Sequence, residues 1–186
     1  GTTASLAGIE AGDAGGEDRV VLAHAVAMST GGMPLLYLGD EVAQLNDYYY
    51  RDRPAEAGDS RWVNRPFRPE VAYAARHDPA TTAGRVFSRL HRLLQVRSET
   101  PELGGNDLIP FRTPHPSVLA FQRPGSGGVV LVLANFGDDP VRVDAPTLSG
   151  FAPEAVDLVA DRRLSLADGV ALAPHAFLWL RVVPVP

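Results

Sequence analysis

After Pro101 the chain alternates short β-type runs with turn signals, and this rhythm restricts the second half to an all-β domain. Eight runs are expected, at about 108–113, 117–123, 128–136, 140–145, 155–159, 163–166, 170–173 and 176–183. Gly125-Ser126-Gly127-Gly128, Gly137-Asp138-Asp139-Pro140 and Asp168-Gly169 stand between them, and these residue types reverse a chain. Many short strands with regular turns predict an antiparallel β-sandwich over residues 101–186.

The first hundred residues read differently. Residues 1–16 are small and Gly-rich, a loop with at most a short helix. Glu17 and Asp18 open a helix to about Thr30, since acidic residues suit the positive end of the helix dipole. Val20 to Met28 is apolar nearly all round apart from His24, so that helix needs partners on several sides. Gly31-Gly32 ends it. Leu35-Leu36-Tyr37-Leu38 is a continuous apolar run, predicted as a strand buried on both faces in a parallel sheet. Residues 39–78 form a long polar connection rich in Pro, Arg, Tyr and Asp, and long loops inside domains are commonly functional. Asp78-Pro79 reads as an N-cap followed by Pro at the first helical position. The helix after it carries Val86, Phe87, Leu90, Leu93 and Leu94 on one stripe and Arg85, Arg89 and Arg92 on the other face. It closes near Thr100-Pro101. The domain boundary is placed near residue 100, and no internal repeat is evident.

Composition excludes several function classes. A net charge of −5 gives no electrostatic support for binding nucleic acid. Without Cys there are no disulfides and no thiolate metal sites. The five His show no metal-ligand spacing, so neither a metal nor another cofactor is expected. His24 reads as a core residue and His77, His91, His115 and His175 as surface residues. The glycine clusters fall in turns rather than phosphate loops, and Asp157, Asp161 and Asp168 read as turn residues. No apolar run spans a bilayer, and Gly1-Thr2-Thr3-Ala4-Ser5 is not a signal-type start. The compartment stays open on this basis, with the cytoplasm favoured over secretion. A start without Met followed by a buried-type helix is expected of a piece of something larger.

Gly32-Met33-Pro34-Leu35-Leu36-Tyr37-Leu38-Gly39-Asp40-Glu41 resembles the last barrel strand of α-amylase-clan enzymes and the start of the loop after it. Leu45-Asn46-Asp47, then Asp59-Ser60-Arg61-Trp62 with Arg65-Pro66, then Asp78-Pro79-Ala80-Thr81, resemble the amylosucrase subfamily. The resemblance implies an α/β part plus an all-β part. Residues 1–100 would be the last part of a (β/α)8 TIM barrel and residues 101–186 a C-terminal antiparallel β-sandwich. Chemistry in such barrels sits on loops at the C-terminal strand ends, and the loop after Leu38 is the long one.

The resemblance further implies a retaining mechanism in which an Asp attacks the anomeric carbon and a Glu acts as acid, then base. The donor would be sucrose, with glucose passing to an α-1,4-glucan and fructose released. The alternatives are a sucrose hydrolase of the same subfamily and a non-catalytic β-sandwich module for carbohydrate binding or structure. In the family the catalytic carboxylates lie upstream of the matched region, so no catalytic residue is assigned here and the chain alone is expected to be inactive. Its expected partners are sucrose, α-glucan, and either an N-terminal portion of the same protein or a second copy, because the apolar run and helix faces demand cover. Neither nucleic acid nor membrane is an expected partner.

Arg61 is the first candidate substrate-binding residue. By resemblance it pairs with an upstream Asp at the base of the glucosyl pocket, and its planar fork suits a carboxylate. A loop ion pair with Asp59 is the alternative. Asn46 and Asp47 are candidates for hydrogen bonds to sugar hydroxyls, with a turn or Asx cap as the alternative. Tyr48, Tyr49, Tyr50 and Trp62 stack on sugars or pack the loop. Arg51, Arg53, Arg65 and Arg68 order the loop or face solvent. Asp40 and Glu41, adjacent at a strand end, point to opposite faces and make a poor acid–base pair.

Overall fold

The computed structural model describes residues 1–185 and divides into two compact units. Unit 1 comprises Gly1–Val21 and Leu35–His91; unit 2 comprises Leu22–Pro34 and Arg92–Pro186. The division does not fall at the single boundary expected near residue 100. It cuts both long helices.

In unit 2 all eight expected β runs form strands: β1 (Ile109–Pro110), β2 (Val118–Gly125), β3 (Gly128–Asn135), β4 (Val141–Val143), β5 (Glu154–Asp157), β6 (Arg162–Ser165), β7 (Val170–Leu172) and β8 (Phe177–Val182). They make a six-stranded sheet, in the order β1-β2-β3-β8-β5-β6, and a two-stranded sheet, β4-β7. Every pair is antiparallel. Leu131, Leu133 and Leu180 of the large sheet pack with Val143, Val170 and Leu172 of the small one, which makes the sandwich core.

The other face of the large sheet is buried as well. Val130, Val132 and Trp179 are fully covered, so β3 is apolar on both faces. Arg123 stands on that face opposite Val130 and is itself fully buried. Burial lowers its pKa, and among the described residues no carboxylate forms an ion pair with it. Its guanidinium instead donates to the carbonyls of Thr30 (3.0 Å), Glu102 (3.3 Å) and Gly105 (2.5 Å). Arg97 donates to the carbonyls of Met28, Leu103 and Gly32. These two arginines stitch residues 28–32 and 102–105 together beneath the sheet, which is why unit 2 takes in Leu22–Pro34. Gly31 has φ +100°, and a Cβ there would lie 2.4 Å from the Gly105 carbonyl oxygen, so only glycine lets the two segments meet.

Five helices precede the strands: α1 (Thr3–Leu6), α2 (Gly16–Ser29), α3 (Glu70–Ala74), α4 (Thr82–Ser98) and α5 (Pro101–Gly104). Helix α2 buries Val20, Val21, Leu22, Ala25 and Met28, and His24 with them. Its outward positions Ala23 and Ala27 are exposed, so the apolar circumference expected from the sequence ends in a face of alanines. Helix α4 buries Val86, Leu90, Leu93 and Val96; Leu94, expected on that stripe, is 39% exposed. In unit 1, Glu17 pairs with Arg85 at 2.6 Å and Asp18 with Arg89 at 2.8 Å. In unit 2, Arg97 near the end of α4 reaches the Met28 carbonyl near the end of α2. Start is tied to start and end to end, so α2 and α4 run parallel.

The N-cap of α4 also departs from expectation. Asp78 Oδ1 accepts from the Ala80 N–H at 2.9 Å, a turn before the helix, and Thr81 Oγ1 takes the cap by accepting from the Gly84 N–H at 3.0 Å. The chain doubles back so tightly that a Cβ at Gly84 would lie 1.9 Å from the Asp78 carbonyl oxygen.

Leu35–Leu38 is not a strand. The run has no regular secondary structure, its last residue Leu38 already lies in a turn, and unit 1 holds no strand at all among the described residues. Leu35 is 86% exposed and Leu38 62%. A parallel strand exists only through hydrogen bonds to neighbours on its two edges, and no such neighbours are present for it here. The expected parallel α/β layer is therefore corrected: the sheets of this chain are antiparallel. No described helix is long and apolar enough to cross a membrane.

Candidate functional site

The long connection after Leu38 folds by pinning its polar side chains to its own backbone. Gly39 takes φ +103°, which turns the chain after the apolar run. Glu41 then holds this corner. Its Oε2 accepts from the Gly39 N–H at 2.8 Å and its Oε1 accepts from the Tyr73 hydroxyl at 2.5 Å. Tyr73, on α3, is buried with Val42 and Ala83. Arg68 lies over its ring at 4.4 Å. Burial, and then the bond to the Glu41 carboxylate, push the Tyr73 phenol up to about 12. Gln44 Nε2 donates to the Phe67 carbonyl at 2.6 Å, a second tie across the loop.

Two short 3-10 turns carry the candidate residues. Asp47 caps Tyr48–Asp52: it accepts from the Tyr49 N–H at 2.9 Å and from Arg53 Nη2 at 2.5 Å. Arg53 also pairs with Glu56 and lies over the Phe67 ring at 5.1 Å. The Asp47 N–H donates to the Val63 carbonyl at 2.9 Å, which joins the two turns. Asn46 faces residues 1–10. Its Oδ1 accepts from the Thr2 N–H at 2.8 Å, and its Nδ2 donates to the Tyr48 hydroxyl at 3.0 Å and to Glu10 at 3.3 Å.

Asp59 caps Ser60–Asn64 and pairs with Arg61. Arg61 Nε sits 2.9 Å and 3.0 Å from its two oxygens, and Nη2 sits 2.7 Å from Oδ2. The Arg61 guanidinium, with the Arg61 N–H second, holds the Asp59 carboxyl down at about 2. The Arg61 side chain is 72% exposed, and its Nη1 has no hydrogen-bond partner among the described residues. Arg65 lies over Trp62 at 5.9 Å.

The structure thus brings Asn46 and Asp47 together at one end of the loop and puts Arg61 in the second turn. The bonds of Asn46 and Asp47 are those of Asx caps and loop ties. Arg61 makes the loop ion pair while keeping one edge of its fork open. Tyr48, Tyr49 and Arg61 are each exposed. Sequence reasoning missed two contributors. Tyr73 joins Glu41 across 32 residues and Glu10 joins Asn46 across 36, separations at which no local pattern signals contact. Of the other histidines, His77 and His91 are exposed, whereas His175, expected at the surface, is buried beside Asp138 at 3.1 Å. No group of three His, Asp or Glu able to hold a metal occurs among the described residues.

Residues 109–181 match the family described as "Amylosucrase, C-terminal domain", so this portion of the chain is amylosucrase-like. The glucosylglycerate phosphorylase of Escherichia coli (strain K12) is 26% identical over 165 residues, which cover 88% of this chain and 28% of that protein. A solved structure of AmyP in complex with maltotriose superposes with a TM-score of 0.69 at 15% identity, covering 94% of this chain and 36% of that one. A MutB variant in complex with sucrose gives 0.62 at 18% identity, covering 89% and 38%. At such identities the likeness concerns the fold alone. The chain spans little more than a quarter of the curated relative's length.

Proposed function

We propose that this chain is the C-terminal portion of a longer retaining glucosyltransferase. In this reading residues 1–100 complete a (β/α)8 barrel and residues 101–186 form the domain behind it. One observation carries it: α2 and α4 run parallel, with an unpaired apolar run between them in the sequence. Consecutive helices run parallel when a strand of a parallel sheet returns the chain between them, as in a βαβα unit. In the longer protein Leu35–Leu38, unpaired in this chain, takes the place of that returning strand. The loop 39–78 then stands at the C-terminal end of the strand, where barrel enzymes keep their sites.

Sucrose is the proposed donor, fructose the leaving group and an α-1,4-glucan the acceptor. In this reading the nucleophile and acid–base carboxylates belong to the upstream portion, as the resemblance implies, while Glu41, Asp47 and Asp59 hold the loop's own backbone. Arg61 keeps an open fork edge for an upstream carboxylate at the floor of the glucosyl pocket. Asn46 and Asp47 line its rim. The phosphorylase relative favours a second reading, in which inorganic phosphate replaces the glucan as acceptor.

The test is product analysis with the longer polypeptide and with this chain alone, given sucrose with and without phosphate and glucan. Fructose release by the longer form only is expected. Glucan growth, free glucose or glucose 1-phosphate then distinguishes transferase, hydrolase and phosphorylase. Fructose release by the 186-residue chain alone, or none by the longer form, would overturn the proposal.

A further inference from the structure

A cleft of about 380 Å³ opens in unit 1 between the end of α3 and the face of α4. Arg76, His77, Pro79, Phe87, Ser88 and His91 line it. Its volume falls in the range of about 300–1,000 Å³ usual for small-molecule sites. None of Asn46, Asp47 and Arg61 belongs to it, so a ligand bound there is independent of the role proposed for the loop.

The lining is organised around one ring. The His77 imidazole meets the Phe87 ring edge-on at 5.3 Å, and the His91 imidazole lies parallel to it at 6.1 Å. Packing on Phe87 thus sets both imidazoles at the cleft instead of leaving them to swing in solvent. Arg76 is anchored through Nη1, which donates to the Tyr73 carbonyl at 2.6 Å. Its Nε and Nη2 have no partner among the described residues. Ser88 donates its hydroxyl proton to the Arg85 carbonyl at 3.1 Å.

No Asp or Glu lines the cleft, although the chain carries 22 acidic residues against 17 basic ones. Asp78, next in sequence to His77, turns its Oδ1 to the Ala80 N–H. The cleft therefore presents more donors than acceptors: the acceptors are the Ser88 hydroxyl oxygen and the bare nitrogen of each neutral imidazole, with no carboxylate among them. A guanidinium edge has several N–H groups, and each imidazole carries at least one in any tautomer. A neutral sugar needs acceptors for its hydroxyl protons as well as donors for its oxygens. A phosphate needs donors only, and Arg is the side chain best shaped to supply them.

We infer that this cleft binds a small phosphate monoester. The phosphate lies against Arg76, His77 and His91, and the organic part lies over Pro79 and the exposed edge of Phe87. The volume exceeds what inorganic phosphate fills and leaves room for a monosaccharide-sized group.

The experiment tracks the imidazole resonances of the 186-residue chain by NMR while glucose 6-phosphate, inorganic phosphate, acetate or glucose is added at constant ionic strength. Glucose 6-phosphate is expected to shift His77 and His91 saturably and to leave His115, in unit 2, unmoved. Inorganic phosphate should act at the same residues more weakly, and glucose not at all. A His77→Gln, His91→Gln double variant is expected to bind about tenfold more weakly, the loss of roughly one charge-assisted bond. Both residues are exposed, so the variant keeps its fold, and an unchanged amide spectrum away from the cleft verifies this. Shifts that fail to saturate, shifts of equal size at His115, or equal responses to acetate or glucose would each overturn the assignment.

Discussion

Replacing Tyr73 with Phe removes one hydroxyl and leaves the ring, so packing against Val42 and Ala83 and the Arg68 contact are retained. What is lost is the 2.5 Å bond to Glu41. A hydrogen bond to a charged group contributes about 1.5–3 kcal/mol, and Glu41 keeps its second bond to the Gly39 N–H, which favours the low end, about 1.5–2 kcal/mol. The pH dependence is set by the direction of the phenol shift. Its folded pKa, about 12, lies above the ordinary value of 10.0. The folded state therefore holds this proton more tightly than the unfolded state. The stabilisation is complete below about pH 10 and is lost as pH rises through about 12. Urea unfolding of wild type and Tyr73→Phe should give a constant gap from neutral pH to about pH 9 that closes by about pH 12. The variant should also lose the last-ionising step in phenolate absorbance. A gap below about 0.3 kcal/mol at neutral pH, or one that persists unchanged at about pH 12, would refute the reasoning.

The same geometry sets other expected outcomes. Arg123→Ala leaves the carbonyls of Thr30, Glu102 and Gly105 without their donor and opens a cavity at a fully buried position, and should cost about 3–5 kcal/mol in thermal unfolding, whereas Arg123→Met, which refills the space, should cost clearly less. Gly84→Ala forces a Cβ onto the Asp78 carbonyl and should destabilise by about 1–3 kcal/mol in urea titration. Acid titration by carboxyl NMR should find Asp59 ionised down to about pH 2, and Arg61→Gln should return it toward the usual carboxylate range. The exposed Met33, Leu35 and Leu38 should make the isolated chain self-associate, and Leu35→Glu should shift sedimentation velocity profiles toward monomer.

The eight strands and the two long helices were legible in the residues because each depends on a local rule. Alternation and turn residues mark a hairpin wherever it lies, and the buried stripe Val86, Leu90, Leu93 and Val96 keeps a helical period. The buried core histidine at position 24 was equally visible, since its neighbours on α2 are apolar on every side. The strand expected at Leu35–Leu38 shows where local reasoning stops. The run has a strand's composition, yet a parallel strand is a property of its neighbours, and none stands beside it. The site residues divide in the same way. Asp47 was recognisable as an Asx cap and Asp59 as a partner for Arg61 from adjacent sequence, and each aspartate caps the turn after it. The bond from Tyr73 to Glu41 and the approach of Glu10 to Asn46 depend on how distant segments are brought together. The same holds for Arg123. In the sequence it is one more basic residue in an alternating strand; in the fold it faces a second buried side of the sheet and ties Thr30, Glu102 and Gly105 to it. Local periodicity tells which face of a strand is apolar, but which segment covers that face is a long-range contact, and its partners are set by the packing of the whole unit.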